Sequence, residues 1–466
     1  MKKLTKEAVV FALFFTIVMV LMKVFIGGET IWSVFYQRHA GLTYTHGTTD
    51  YFDGLSYLGR NFTFPPAYFE FVSLISYLLG INPEILIFYL HIILILLFNL
   101  SVYMLFSRFK NFRQRLLGAL IFISESFVFI TTVSSPLHVF SYLLLNVSVI
   151  TAPFQQKLNS HILKNPMLWV CILTLMISIG SHPTSLFLFP VFACAVNGFN
   201  KEIFKKSIIF LFFAGLFSLI FFVPTIIQNG LPYEIVPKQW GYLITYGWAG
   251  ALFDFQFLVP LILITILFSL SQKNYRISVI FLLIMFLIYI GLSYRLNIIV
   301  NIILATLLVS LFEDRLKNNL TFFLFLLFPI ACIIFHPLTY SGPTNWCEWG
   351  ALNENCIRPM QFIEQYTTPN DNVVINPMLG HLEAYYGKRK VLADLYVEYA
   401  DEQKFRDENK FYYNLTTEQL EKYNITIFVL DDMYKERDLP DFDKIYDNGF
   451  YHIYKKPYYF KNPKNI

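Results

Sequence analysis

Apolar stretches about as long as a bilayer is thick recur along most of this chain, separated by short polar turns. A membrane-crossing helix needs roughly 20 apolar residues. The clearest stretches are 8–27, 84–106, 116–133, 207–227, 251–270, 276–293, 296–312 and 319–337. Three shorter ones, 137–152, 167–181 and 184–198, are read as tilted, thin or partly re-entrant helices. The run 67–80 is shorter still and follows Pro65-Pro66, so it is assigned to the membrane interface and not to a span. The pattern therefore predicts a polytopic α-helical membrane protein of about 11 spans. Past residue 338 the pattern changes. Residues 372–376 and 425–430 are apolar runs bounded by turn formers and predict buried strands. Residues 444–454 predict a hairpin over Asn448-Gly449. Thr416–Lys422 opens with Thr and Glu at capping spacing and predicts a short helix. The expected division is a transmembrane domain over 1–337, with a long loop at 28–83, and a soluble α/β domain over 338–466.

Charge orients this arrangement. Of 466 residues, 56% are hydrophobic and 15% charged, well below the share of charge in soluble domains. The net charge of +4 is too small to point to nucleic acid. It conceals a split of +9 over residues 1–337 and −5 over the remainder. With 67–80 left out of the spans, 16 basic residues fall on one side. They include Lys2, Lys3, Lys6, the Arg108–Arg115 group, Lys201, Lys205, Lys206, Arg315 and Lys317. The short loops opposite carry Lys238 and Arg295. The positive-inside rule puts the first side, and the N-terminus, in the cytoplasm. Loop 28–83, loop 228–250 and the tail then face outward. The first span lacks a small-residue cleavage site and is expected to remain as an anchor.

Candidate chemistry lies on that outer side. Loop 28–83 carries Glu29, Asp50, Asp53 and Glu70. A carboxylate at the membrane surface suits a general base toward an acceptor hydroxyl. The alternative is that Asp50 and Asp53 cap a helix starting there. Three apart, they would share a helix face and could hold a divalent cation. No Asp-x-Asp and no His/Cys/Glu cluster accompanies them, so a metal is not implied. His182 and Pro183 lie between two short helices. A helix start beside a histidine suits a phosphate, and a histidine bonded to loop backbone is the plainer alternative. Arg295 and, more weakly, Lys238 suit a lipid phosphate or simply snorkel to headgroups. Glu125 falls within the run 116–133, either as a functional intramembrane acid or as an interhelical hydrogen-bonding group. Cys347 and Cys356 suit a disulfide in an oxidising compartment. Cys171, Cys194 and Cys332 lie in apolar runs and read as packing residues. Sequons at Asn61, Asn414 and Asn424 all fall outside in this topology.

The series TTDYFDGLSYLGRNFTFPP (48–66 within the first loop), followed by an interfacial helix, a span and the basic KNFRQR turn, resembles the GT-C superfamily of membrane glycosyltransferases. Protein O-mannosyltransferase-like and aminoarabinose-transferase-like members share this order, and the archaeal branch is nearest. SYRLNIIVNIILATLL resembles the late Arg-bearing span of that family, with Leu296 where an aromatic is usual. The sequence departs from the Asp-Glu pair common after the first span; Glu29 is nearest in position and Asp50 in context. The tail motif HLEAYYGKRKVLADLYVEY (381–399) is similar to tails of archaeal membrane proteins. The resemblance implies transfer of a sugar from a polyprenyl-phosphate donor to an acceptor hydroxyl at the outer face. Asp50 is then the base, with Asp53 second, while Arg295, His182 and Lys238 meet the leaving phosphate. No nucleotide is implied. Two further readings compete: a non-catalytic protein of the same fold that binds glycan, lipid or an envelope partner, and a transporter or flippase. The absence of an internal repeat weighs against the last.

Overall fold

A computed structural model describes residues 2–25, 31–47, 52–55, 60–61, 66–156, 160–198, 200–229, 258–272, 278–280, 282–284, 297–340, 352–376, 379–392, 417–431 and 441–457. The chain divides into two units. The bundle unit comprises Met1–Phe25, Thr43–Thr49 and Phe64–Tyr340. The sheet unit comprises Ile26–Leu42, Asp50–Thr63 and Ser341–Ile466.

The bundle is built from α1 (Lys2–Phe25), the last turn of α2 (Ile31–His46), α3 (Ala67–Leu79), α4 (Pro83–Leu105), α5 (Phe112–Ser124), α6 (Ser126–Ser134), α7 (Pro136–Thr151), α8 (Pro166–Ser181), α9 (Ser185–Asn197), α10 (Lys201–Asn229), α11 (Val259–Ser271), α12 (Asn297–Leu311) and α13 (Asn319–Tyr340). Each apolar run of the sequence that is described falls on helix. Starts are written in local chemistry. Asn82, Asn111, Ser135 and Asn165 accept backbone N–H bonds at helix N-termini, and Pro83, Pro136 and Pro166 stand at the first helical position. The stretches Lys3–Val24, Pro83–Arg108 and Lys201–Pro224 are long and apolar enough to cross a membrane. Seven other apolar helices among the described residues are shorter. Val10, Phe14, Ile17 and Leu21 on α1, Phe212 and Ile220 on α10, and Phe323 and Leu327 on α13 turn outward. A helix with apolar side chains facing away from its own core fits lipid as solvent. The expected interfacial segment is α3, at ~20 Å too short to span. Phe71 stacks on Phe140 of α7 at 4.7 Å, and Gly80 in the left-handed region ends the helix.

The run 116–133 is a correction. It is not one continuous helix, because the helix breaks at Glu125, whose backbone is extended. Its carboxylate accepts the N–H of Val128 at 2.9 Å and so caps α6. Beside the break, Asn301 of α12 donates to the buried carbonyl of Phe122 at 2.6 Å. Leaving such a buried carbonyl unpaired costs about 1–3 kcal/mol. Glu125 is thus a backbone cap at a broken helix.

The basic turns are also structural. Arg115 bonds Glu7 at 2.6 Å and donates to the carbonyls of Phe109 and Lys110, while Tyr103 donates to the same Glu7 oxygen at 3.0 Å. Arg113 donates to the Lys317 carbonyl at 2.7 Å, and Lys206 to those of Phe154 and Gln156. These cations close the turns at one end of the bundle, called here the basic end.

In the sheet unit the strand order is β4-β3-β5-β7-β6, from β3 (Asn372–Val374), β4 (Lys390–Val391), β5 (Ile427–Asp431), β6 (Asp443–Asp447) and β7 (Tyr451–Lys455). β3 runs parallel to β4 and β5, and β7 antiparallel to β5 and β6. The hairpin over Asn448-Gly449 is present, with Gly449 at φ 80° and Asp447 accepting its N–H. Lys444 and that N–H push the Asp447 carboxyl down to about 2. The helix α14 (Glu354–Tyr366) covers the sheet through Met360 and Ile363, and the short α15 (Thr417–Lys422) precedes β5. Cys356, in α14, is disulfide-bonded; its expected partner, Cys347, lies outside the described residues.

The first loop does not stay with the bundle. Residues 26–42 and 50–63 belong to the sheet unit, and β1 (Phe52–Asp53) pairs there with β2 (Arg60–Asn61). Val34 of α2 is buried in the same core as Val373, Val391 and Ile453. Backbone pairing and one apolar turn of helix supply this docking, and neither has a strong sequence signature.

One acid in this unit is expected to respond to pH. Glu383 is fully buried, in a π-turn over Gly387, where a Cβ would overlap its carboxylate. Among the described residues no group hydrogen-bonds its oxygens. Burial pushes its carboxyl well above the usual range, and Arg389 only partly opposes this. The unfolded chain then ionises first as pH rises, so the wild type loses stability from about pH 4 upward toward the raised folded value. Glu383→Gln removes that loss. Thermal unfolding across a pH series is expected to show the variant gaining on the wild type as pH increases; a pH-independent difference counts against it.

Candidate functional site

A polar corner forms where α6 meets α7, at the end of the bundle away from the basic turns. α1 leaves the basic end at Glu7 and reaches the other end at Lys23. The Lys23 ammonium, nearly buried, donates to Nδ1 of His91 on α4 at 3.0 Å and to the carbonyl of Val133 at 3.4 Å. With Nδ1 accepting, Nε2 of His91 carries the proton and donates to the carbonyl of Thr132 at 2.9 Å. A lysine and a histidine from two other helices therefore hold the last turn of α6.

The same corner continues through Ser135, whose side chain caps α7 and lies 2.6 Å from Nδ1 of His138. His138 meets His182 ring to ring, centroids 4.7 Å apart. His182 ends α8, donating its N–H to the Ser178 carbonyl at 2.8 Å, and its Nδ1 lies 2.5 Å from the Thr184 hydroxyl. Small residues make the approach possible. Ser141, Ser178 and Ser185 hydrogen-bond to one another between α7, α8 and α9 at 2.8–3.2 Å. Gly180 lies against Phe221 with no room for a Cβ. Three imidazoles, one ammonium and two hydroxyls thus gather around residues 132–138 and 182–184. Lys23 and His91 spend their protons within the corner, on His91 and the carbonyls of Val133 and Thr132.

Of the residues singled out in the sequence, His182 is placed here, at a helix end as expected. Asp53 is in β1 of the sheet unit, opposite Arg60. It is in a strand, so the expectation that it caps or faces along a helix is corrected: pairing with 60–61 makes the segment extended. Asp50, Glu29, Lys238 and Arg295 lie outside the described residues. Among the described residues no group of three or more His, Cys, Asp or Glu is placed to hold a metal ion. Lys23, His91 and His138 escaped the sequence reading. Two of them, Lys23 and His91, were detectable as the lone basic residues inside the apolar runs 8–27 and 84–106.

No protein-family model matches the sequence, and no curated protein does. Solved structures do. The oligosaccharyltransferase of Archaeoglobus fulgidus in its apo form has TM-score 0.62 at 14% identity, over 92% of this chain and 69% of that one. The same enzyme, AglB, in complex with an inhibitory peptide and a dolichol-phosphate matches at TM-score 0.62 and 13% identity, with the same coverage. ArnT from Cupriavidus metallidurans, bound to undecaprenyl phosphate, has TM-score 0.58 at 11% identity, over 96% of this chain and 98% of that one. Both are GT-C glycosyltransferases. At such identities the likeness establishes the fold, which is that of the GT-C membrane glycosyltransferases.

Proposed function

We propose that this GT-C-fold chain is a glycosyltransferase that takes a sugar from a polyprenyl-phosphate donor and passes it to an acceptor hydroxyl at the outer face of the cell membrane. The carrying observation is the polar corner around His138 and His182, in a fold whose neighbours hold dolichol-phosphate and undecaprenyl phosphate. In the reaction the Asp50 carboxylate, with Asp53 as second candidate and Glu29 third, takes the acceptor proton. The acceptor oxygen attacks the anomeric carbon from the face opposite the phosphate. The carbon–oxygen bond to phosphate breaks, its electron pair leaves with polyprenyl phosphate, and the configuration inverts. His182 and His138, with Arg295 and Lys238 of the outward-facing segments of the sequence topology, stabilise the charge that develops on the phosphate. The proposal carries the topology of about 11 spans with a cytoplasmic N-terminus, an outward C-terminal domain and a Cys347–Cys356 bridge. The acceptor is left open, as protein, lipid or glycan.

The test is turnover by the purified protein in lipid nanodiscs supplied with a polyprenyl-phosphate hexose labelled in the sugar. Release of polyprenyl phosphate with transfer of label to added alcohol acceptors or envelope extract supports the reading. Saturable donor binding with no release over hours overturns it in favour of a non-catalytic binding protein.

A further inference from the structure

We infer that the edge strand β4 of the sheet unit is the platform that sets where the first loop holds Asp53, making Leu55, Val391 and the Phe35–His381 contact positioning elements for the reaction. The inference rests on the proposed function for its catalytic consequence, but the placement itself stands on geometry.

The chain is anchored on both sides of Asp50. Upstream, α2 gives Val34 to the core of the sheet unit. The next residue, Phe35, is buried between His39, at 4.5 Å, and His381, at 4.7 Å. Downstream, Phe52 and Asp53 pair with Asn61 and Arg60. Two residues past Asp53, the Leu55 carbonyl accepts the N–H of Val391 at 2.9 Å. The Leu55 side chain packs on the buried cluster that contains Val373, Val391 and Ile453. Leu392, the residue after Val391, donates its N–H inward to Val373. β4 therefore uses one edge for β3 and the other for the loop.

The element behind this edge is rigid. His381 and Glu383 lie in the turn that runs into β4, and Gly387 is needed for that turn to close over Glu383. Arg389 then fastens the strand's start to the end of α14, donating to the carbonyls of Glu364 and Thr367 and to the Thr367 hydroxyl at 2.7–2.8 Å. Lys388 adds an ion pair to Glu364 at 2.7 Å. A loop that only needed to be covered would not require register on a strand fixed this way. A base that must stand within hydrogen-bond reach of an acceptor hydroxyl does, because a misplacement of about 1 Å can cost about a hundredfold in rate.

The experiment uses the full-length protein. Val391→Pro removes the N–H that Leu55 accepts while sparing the bond from Leu392 to β3. Leu55→Asp drives the loop side chain out of the apolar cluster and leaves the sheet sequence intact, so it serves if the proline variant does not fold. Two readouts are taken: amide hydrogen exchange at 52–61, and steady-state transfer from a polyprenyl-phosphate hexose. The expected result is exchange at 52, 53, 60 and 61 faster by about tenfold or more. With it, kcat falls about tenfold or more while donor KM stays within about twofold. Leu55→Met is expected to behave as wild type. Unchanged exchange in both variants overturns the platform. Faster exchange with unchanged kcat overturns the positioning role. A wild type without any transfer activity instead refutes the proposed function, and the exchange measurement still decides whether β4 holds the loop.

Discussion

Asp50→Asn is expected to lower sugar transfer by about 10²–10⁴-fold, the usual contribution of a positioned general base. The amide keeps the size and most of the hydrogen bonding of the carboxylate but cannot take the acceptor proton. The loss should therefore fall on kcat, with donor KM near its wild-type value, since the donor phosphate is held by other groups. Asp53→Asn is the internal control. If Asp53 is the base, the two variants exchange phenotypes, and the loop retains its role with a different acid. The measurement is initial rate of polyprenyl-phosphate release at saturating donor, with hydrogen exchange at 52–61 checking that the loop stays docked. Full transfer in the single variants and in Asp50→Asn/Asp53→Asn together would remove both acids from the chemistry. Glu29 would then be next to test.

Much of the fold was legible because its signals are local. Bilayer-length apolar runs mark the helices, Asn-Pro and Ser-Pro pairs mark their starts, and Asn448-Gly449 marks the hairpin. What escaped depends on contacts far apart in sequence. A hydropathy window averages over one acid, so Ser124-Glu125-Ser126 reads as continuous span; the break shows only through the capping bond to Val128 and the donor supplied by Asn301. The docking of the first loop on β4 is a backbone bond between Leu55 and Val391, and a backbone bond leaves no mark in residue type. The site divides in the same way. His182 was visible as a histidine at a helix junction. His138, in Ser135-Pro136-Leu137-His138, reads as an ordinary helix start, and its partner across the corner is a ring from another helix.

The cationic rim illustrates how one signal can have two causes. Its sequence role is topological, since Lys and Arg in short loops set orientation. In the folded chain Arg113, Arg115 and Lys206 also satisfy carbonyls at the turns between helices. Those cations are committed to backbone. The corner at the other end is different in composition: Lys23 and His91 are likewise given to backbone carbonyls there, and His138 and His182 are the imidazoles proposed to meet a ligand anion.

That difference gives the second large effect. Replacing His182 by Ala is expected to reduce kcat/KM for the polyprenyl-phosphate donor by about 10²-fold, the scale for removing one donor to a developing oxyanion. His138→Phe keeps a ring against His182 but removes both nitrogens, and it is expected to cost somewhat less, since Ser135 still caps α7. The two rings touch, so their effects are not independent. The double variant should lose clearly less than the product of the single losses. Independent, multiplying losses would mean the histidines contact different parts of the substrate. Binding of polyprenyl phosphate itself, followed by thermal shift, separates the two roles the corner can play. Groups that hold the phosphate equally before and after transfer lower product affinity as much as kcat/KM. Groups that act on the charge developing at the transition state lower kcat while leaving product affinity nearly unchanged. The His138–His182 pair is expected to show the first behaviour, because the charge it meets is still on the phosphate once the sugar has left. If both single variants transfer sugar and bind polyprenyl phosphate as the wild type does, the corner is a packing device and the phosphate is met elsewhere.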